Sequence, residues 1–262
     1  VCTVAALGGN PDLAIGNVMG SNLANIGLIL GVTALVRPLD VRARVVWREM
    51  PLMLLVTLAL YPLAWDGVLS RGDGVLLLFA LVAYLIFVFY SVEDEAPEIL
   101  GEYEEIMKES DRTTSLVSGT DVLWVIAGSA CLVLGGICIV AGAVEIASSL
   151  GISEVVIGLT VVAVGTSLPE LATSLVAALR SEADIAVGNV IGSNIFNVAA
   201  ILGTASVVSP LAIPSHVLTR ELVVVVAMSL LLFPILRTGW RIRRWEGALL
   251  LACYVGAVTW LL

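Results

Sequence analysis

The chain alternates between long apolar runs and short polar connections. Runs such as 13–36, 74–92 and 122–144 carry no charged side chain, and each approaches the roughly 20 residues that a helix needs to cross a bilayer. We therefore predict an all-α polytopic membrane protein with eight complete spans, preceded by the end of another helix near residues 1–7. The predicted spans cover approximately 12–36, 46–65, 73–91, 121–149, 153–179, 184–209, 219–237 and 244–262.

The composition argues against a soluble fold. Hydrophobic residues make up 59% of the 262 residues, and charged residues make up 13%. A soluble domain of this size would expose large apolar patches, so the lipid bilayer is the predicted solvent. We infer neither a nucleic-acid partner nor an obligate protein partner.

One long polar segment divides the chain. Ten of the 22 acidic residues lie between Glu93 and Asp121. We predict a first repeat half at 1–91 that is incomplete at its N-terminus, an acidic linker at 92–120, and a second repeat half at 121–262. A regulatory, calcium-sensing role for the linker is the alternative to a solvated connector, and no EF-hand spacing supports it.

One stretch of the sequence occurs twice. DLAIGNVMGSNLANIGLILG begins at Asp12, and DIAVGNVIGSNIFNVAAILG begins at Asp184, an offset of 172 residues. The same offset relates Pro38 to Pro210. An internal repeat in an apolar chain is typical of transporters built from two homologous halves.

The basic residues predict the orientation of the chain. When successive connections are assigned alternately to the two sides, eleven basic residues fall on one side and two on the other. The positive-inside rule places the larger set in the cytoplasm, together with the linker at 92–120. The two copies of the repeated stretch then cross the membrane in opposite directions, which is typical of transporters with a shared site near the midplane. The larger set is Arg37, Arg42, Arg44, Arg48, Lys108, Arg112, Arg180, Arg237, Arg241, Arg243 and Arg244, and the smaller set is Arg71 and Arg220.

Polar residues recur every four positions inside both copies. They are Asn17, Ser21 and Asn25 in the first copy, and Asn189, Ser193 and Asn197 in the second. On a helix this spacing makes one stripe of oxygen-bearing side chains. Glycines at GxxxG spacing accompany each stripe, so close helix packing in lipid is the alternative to a binding site.

A carboxylate lies inside the predicted span 153–179. Glu170 at mid-span costs about 2.5–3.5 kcal/mol on an insertion scale, and Pro169 removes the hydrogen bond that the Gly165 carbonyl would otherwise accept. Thr166 and Ser167 lie on the same face as Glu170. Such hard oxygen ligands favour Na⁺ and Ca²⁺. The alternative is a kinked helix whose Glu170 is neutral or bonded to a neighbour.

The motifs resemble those of a known family. GTSLPE at 165–170 and GNVIGSNIFN at 188–197 resemble the second alpha-repeat of the cation/calcium exchanger superfamily, specifically of sodium/calcium exchangers of the prokaryotic type. DLAIGNVMGSNLAN at 12–25 resembles the latter half of the first alpha-repeat. The resemblance covers essentially the whole chain and implies ten transmembrane helices in two inverted halves of five. We expect the first helix and most of the second, including a counterpart of GTSLPE, to lie before Val1.

The resemblance also implies the ligands of the transported cations. No cofactor is implied beyond the transported Ca²⁺ and Na⁺ themselves. The implied ligands are Thr166, Ser167, Glu170, Ser193, Asn197, Ser21 and Asn25, with the carbonyl of Ala163.

Antiport of Ca²⁺ against Na⁺ by alternating access, in the plasma (inner) membrane, is the function that the resemblance implies. A Ca²⁺/H⁺ exchanger of the same superfamily is the nearest alternative, and a cation channel is a further one. An intramembrane enzyme is disfavoured, because the single His216 lies in a connection and no acid pair flanks a serine inside a span.

Overall fold

The computed structural model of the protein describes residues 11–93, 119–149 and 163–261. Five helices within these ranges are long and apolar enough to cross a membrane. The predicted all-α membrane fold is therefore confirmed. The five helices cover Ala14–Val36, Val45–Leu63, Arg71–Tyr90, Ala183–Val208 and Val217–Trp240.

The described part of the first half consists of helices that widen at short π-helical turns. Such turns insert an extra residue into the helix and frequently accompany functional sites. The elements are α1 (Pro11–Ala24), a π-helical turn (Asn25–Ile29), α2 (Leu30–Val36), β1 (Leu39–Asp40), a π-helical turn (Val45–Glu49), α3 (Met50–Leu63), β2 (Val68–Leu69) and α4 (Arg71–Glu93).

The second half repeats this order after a long helix and a broken helix. Its elements are α5 (Gly119–Ser149), α6 (Ala163–Thr166), α7 (Leu168–Leu179), α8 (Ala183–Phe196), a π-helical turn (Asn197–Leu202), α9 (Gly203–Val208), β3 (Leu211–Ala212), a π-helical turn (Val217–Glu221), α10 (Leu222–Arg237), a 3₁₀ turn (Thr238–Trp240), β4 (Arg241–Ile242) and α11 (Arg244–Leu261).

The internal repeat is visible in the details of the backbone. One π-helical turn begins at Asn25 and its counterpart begins at Asn197, which is the offset of 172 residues found in the sequence. After α3 and α10 the chain reverses through Gly67 (φ +81°) and Gly239 (φ +70°). Glycine adopts positive φ without the steric cost that a side chain adds, so both reversals use the same residue type for the same reason.

Two short antiparallel strand pairs join one half to the other. β1 pairs with β4, with Leu39 opposite Ile242, and β2 pairs with β3, with Leu69 opposite Leu211. β3 is the repeat counterpart of β1, and β4 is the counterpart of β2. The two pairs are therefore images of each other, which is the two-fold relation that the predicted inverted repeat requires.

The last helix of each half packs against the other half. α4 lies on α9, and α11 lies on α2. A Cβ atom added at Gly74 would lie 2.7 Å from the Gly203 carbonyl oxygen, and one added at Gly247 would lie 2.8 Å from the Gly31 carbonyl oxygen. Small residues allow this close approach of helix backbones, so the two halves interlock through matching contacts.

Arginine contacts gather three connections at one end of the bundle. These connections, 37–44, 180–183 and 238–243, hold much of the basic set that the sequence assigns to one side. The contacts are Arg37 Nη1 to the Leu179 carbonyl (2.9 Å), Arg42 to Asp184 (2.6 Å), Arg241 to Asp40 (3.2 Å) and Arg244 Nη2 to the Val36 carbonyl (3.4 Å).

The predicted span 153–179 is not one continuous helix. Its described part consists of α6 and α7, which are separated at Ser167. The proline two residues later accounts for the break, since it cannot donate to the preceding turn. Residues 153–162, most of the linker at 92–120 and the helix end predicted near 1–7 lie outside the described residues.

Candidate cation site between the two repeats

The candidate site begins at the break between α6 and α7. Ser167 has φ −95° and ψ 4°, and its N–H donates to the Val164 carbonyl at 3.1 Å. Pro169 lies in the first turn of α7, where a missing N–H is tolerated, but it cannot donate to the Gly165 carbonyl. Glu170 follows it in the same turn, where the positive end of the helix dipole favours a carboxylate.

A cavity of about 330 Å³ lies beside this break, between α4, α7 and α8. Three of the predicted ligands line it, namely Glu170, Ser193 and Asn197. The wall that α4 supplies contains Tyr84 among leucine side chains. The cavity therefore has one face of carboxylate, hydroxyl and amide groups and one largely apolar face.

The Glu170 carboxylate is not neutralised by a described neighbour. Its Oε2 atom is buried and has no hydrogen-bond partner among the residues that the structure describes. Asn189, which also lines the cavity, donates to the backbone carbonyl of Glu170 (3.4 Å) and to Ser174 Oγ (3.1 Å). A buried acceptor without a donor is costly, and a bound cation would remove that cost.

The glycines of the second copy do not pack against another described helix. A Cβ atom added at Gly188 or Gly192 would meet nothing within 4 Å in the described part of the chain, and both residues line the cavity. Among the described residues, the second copy of GxxxG therefore does not mediate close helix packing. Because glycine has no side chain, these two positions leave the cavity open.

The first repeat approaches the site through α1. Ser21 Oγ lies 3.4 Å from Thr166 Oγ1 on α6, and Thr166 Oγ1 donates to Asn17 Oδ1 at 3.3 Å. Ser21 and Ser167 are both buried. The polar stripe of the first copy therefore meets the hydroxyl groups of the second copy's broken helix.

Two amide hydrogen bonds join the repeats next to these hydroxyls. Asn25 Nδ2 donates to Asn194 Oδ1, and Asn197 Nδ2 donates to Asn22 Oδ1, both at 2.9 Å. The two bonds are equivalent under the repeat. Asn25 is 1% exposed, and its Oδ1 atom has no hydrogen-bond partner among the described residues.

The structure brings most of the predicted ligands into one region. Glu170, Ser193 and Asn197 share the cavity, while Asn25 is linked to the second repeat by its amide. Ala163 is the first residue of α6. Asn189 belongs to the polar stripe predicted from the sequence. Residues that the sequence-based prediction missed are Asn22, Asn194 and Tyr84; the first two stand beside the serine in both copies of GSN.

The chemistry of the site is that of hard oxygen ligands. In the described ranges, no three His, Cys, Asp or Glu side chains come close enough to hold a metal ion together. The groups near the cavity that could coordinate a cation are instead hydroxyl and amide oxygens with one carboxylate. Such a set suits Na⁺ and Ca²⁺ better than a transition metal.

This fold and site define a polytopic helical membrane protein with an oxygen-lined cavity between two repeats. The family described as sodium/calcium exchanger protein matches residues 1–90 and 120–262. The chain belongs to this family, whose members are exchangers, and it is a cation/calcium antiporter. The resemblance drawn from its motifs is confirmed.

Individual relatives cover nearly the whole chain. CaxA of Alkalimonas amylolytica is 41% identical over 98% of this chain and 80% of that protein. The inner membrane protein YrbG of Escherichia coli is 37% identical over 88% of this chain and 71% of YrbG. The sodium/calcium exchanger MaX1 of Methanosarcina acetivorans is 34% identical over 93% of this chain and 78% of MaX1.

A solved structure shows the same fold. The sodium-calcium exchanger NCX_Mj, soaked with 2.5 mM Na⁺ and 0.1 mM Ca²⁺, matches with a TM-score of 0.78 and 33% sequence identity. The match covers 100% of this chain and 80% of that one.

Proposed function

We propose that the protein exchanges Ca²⁺ for Na⁺ across the membrane through the cavity between α4, α7 and α8. The observation that carries the proposal is the buried Oε2 of Glu170, which has no hydrogen-bond partner among the described residues, at a cavity that Ser193 and Asn197 also line. A carboxylate in that position can be compensated by one Ca²⁺ or shared by several Na⁺. Competition for the same oxygens then couples the two ions.

The proposed ligands are those implied by the family motifs. Their hydroxyl groups support Na⁺ rather than H⁺ as the counter-ion, because a hydroxyl oxygen can coordinate a cation but is unnecessary for carrying a proton. The names of MaX1 and NCX_Mj, both sodium/calcium exchangers, support the same choice. The proposed set is Thr166, Ser167, Glu170, Ser193, Asn197, Ser21, Asn25 and the Ala163 carbonyl.

Alternating access is proposed to involve α5. This helix packs against both α6 and α7, so a shift of α5 along its axis acts directly on the two segments that carry Thr166 and Glu170. Many of its side chains are exposed in the described structure, with Trp124 at 76% and Leu123 at 63%. A helix with such a face can move against lipid without breaking an internal core.

We further propose that the protein resides in the inner membrane with its arginine-rich end and the linker at 92–120 in the cytoplasm. The gathered connections 37–44, 180–183 and 238–243 support this orientation through the positive-inside rule, and the name of YrbG supports the location. Protease should then cut the linker in inside-out vesicles and leave it intact in spheroplasts. Cleavage in spheroplasts would reverse the orientation.

Transport should be measured with the purified protein in proteoliposomes. Vesicles loaded with NaCl and diluted into choline chloride should take up radiolabelled Ca²⁺, and vesicles loaded with choline at the same pH should not. A protonophore should leave uptake unchanged. Uptake that follows a pH gradient regardless of Na⁺ would establish proton exchange instead, and uptake without any counter-ion would indicate a channel.

A further inference from the structure

We propose that Asn22 and Asn194 are positioning residues, which orient the amide groups of Asn25 and Asn197 so that the amide oxygens face the transported cation. The inference rests on the proposed function, since it assigns a role at the same site. Neither Asn22 nor Asn194 belongs to the ligand set that the family motifs imply.

The first step is the direction of the two cross-repeat bonds. Asn194 Oδ1 accepts from Asn25 Nδ2, and Asn22 Oδ1 accepts from Asn197 Nδ2. A primary amide whose nitrogen is held in this way must direct its oxygen to the opposite side. Asn22 and Asn194 are 0% and 1% exposed, so water does not compete for these bonds.

The second step is the oxygen that remains. Asn25 Oδ1 is buried and lacks a hydrogen-bond partner in the described part of the protein. Amide carbonyl oxygens are common Ca²⁺ ligands, so an incoming cation would satisfy this atom. If the Asn25 amide were flipped by 180°, its NH₂ group would face the cation and oppose binding.

The third step separates positioning from direct ligation. Asn22 uses Oδ1 for Asn197 and donates from Nδ2 to the Asn194 carbonyl at 3.3 Å. Asn194 uses Oδ1 for Asn25, and its Nδ2 contacts Met53 Sδ at 3.5 Å. The polar atoms of both side chains are engaged with protein groups, so these residues act on a cation through Asn25 and Asn197.

The test compares Asn194→Leu with Asn194→Asp in the proteoliposome assay. Asn194→Leu removes the acceptor for Asn25 at similar size, and the apparent KM for Ca²⁺ should rise about tenfold while kcat changes less than twofold. Asn194→Asp keeps an acceptor oxygen, so KM should not rise. Equal increases of KM in both variants would overturn the proposal.

A double-mutant cycle distinguishes positioning from a general structural role. In an Asn25→Ala background, Asn194→Leu should change KM no further, because the Asn25 amide that Asn194 positions is already absent. Asn22→Leu should behave in the same way with Asn197→Ala. Additive effects would refute the inference.

The control is Ser229→Ala, which removes a buried hydroxyl bonded within its own helix to the Val225 carbonyl (2.8 Å) and should leave KM unchanged. Melting curves of each variant identify loss of folding. If Asn194→Leu does not fold, the KM of Asn22→Leu, alone and combined with Asn197→Ala, supplies the independent measurement. Absence of Na⁺-driven uptake by the unmodified protein would contradict the proposed function. Normal uptake with an unaltered KM in Asn194→Leu would contradict the positioning role alone.

Discussion

Replacing Glu170 with Gln should abolish exchange and also stabilise the ion-free protein. The carboxylate has a buried oxygen without a described partner, and a charge at mid-span costs about 2.5–3.5 kcal/mol on an insertion scale. Gln keeps the shape but still buries an amide, so we expect a net gain of about 1–2 kcal/mol. For a chain of this size that corresponds to a rise in Tm of about 2–8 °C in EDTA.

Added Ca²⁺ should reverse the order of stability. A cation that binds the folded state at 100 times its Kd stabilises it by about 2.7 kcal/mol, and the variant should lose this gain together with Na⁺-driven Ca²⁺ uptake. Melting in detergent, with EDTA and with Ca²⁺, and proteoliposome flux measure the two effects on the same preparations.

A second buried carboxylate provides the matched control. Glu246 is 1% exposed and accepts the Arg243 backbone N–H at 2.7 Å at the start of α11. Glu246→Gln weakens this cap, so it should lower Tm and leave uptake intact. If Glu170→Gln also lowered Tm in EDTA, the carboxylate would have a structural partner; unchanged flux in the folded variant would remove Glu170 from the mechanism.

Three further substitutions test the cavity, the interlocked halves and the arginine-rich end by the same two assays. Gly192→Leu should keep Tm within about 4 °C, because its Cβ meets no described atom within 4 Å, and should reduce uptake at least tenfold by filling the cavity; full uptake would place the ion path elsewhere. Gly247→Ala should destabilise by about 1–3 kcal/mol because its Cβ would lie 2.8 Å from the Gly31 carbonyl, and an unchanged Tm would contradict the close packing of α11 on α2. Arg42→Ala breaks an exposed ion pair with Asp184, so it should cost less than about 1 kcal/mol and leave transport unchanged; lost uptake would give that pair a functional role.

Much of the helical fold follows from the sequence because its signals are local. An uncharged run of about 20 residues requires a bilayer whatever lies next to it, and the repeat beginning at Asp12 and Asp184 is visible without coordinates. The partner of each helix is not a local property. Gly247 indicates a close approach, but nothing in the sequence indicates that the approach is to Gly31 in the other half.

The site was predictable from the sequence where a charged or helix-breaking residue lies inside an apolar run. Glu170 stands alone in an apolar run, and Pro169 marks the break beside it. Asn22 and Asn194 were missed because each lies one position from the serine of the polar stripe, about 100° away on a regular helix. Glycine spacing supported helix packing and cation binding equally, and the absence of any described atom within 4 Å of a Cβ at Gly192 favours binding.

The interlocking of the halves limits how access to the site can alternate. A rigid rotation of one half against the other would break both strand pairs and separate α4 from α9 and α11 from α2. It would also expose Asn22 and Asn194, whose bonds cross between the repeats. α5 has no such constraint in the described structure, since it packs on α6 and α7 of its own half and is otherwise largely exposed. On the proposed function, we therefore expect the motion that opens and closes the cavity to be carried by α5 together with the broken helix formed by α6 and α7, while the interlocked core holds the ligands on α1 and α8 in place.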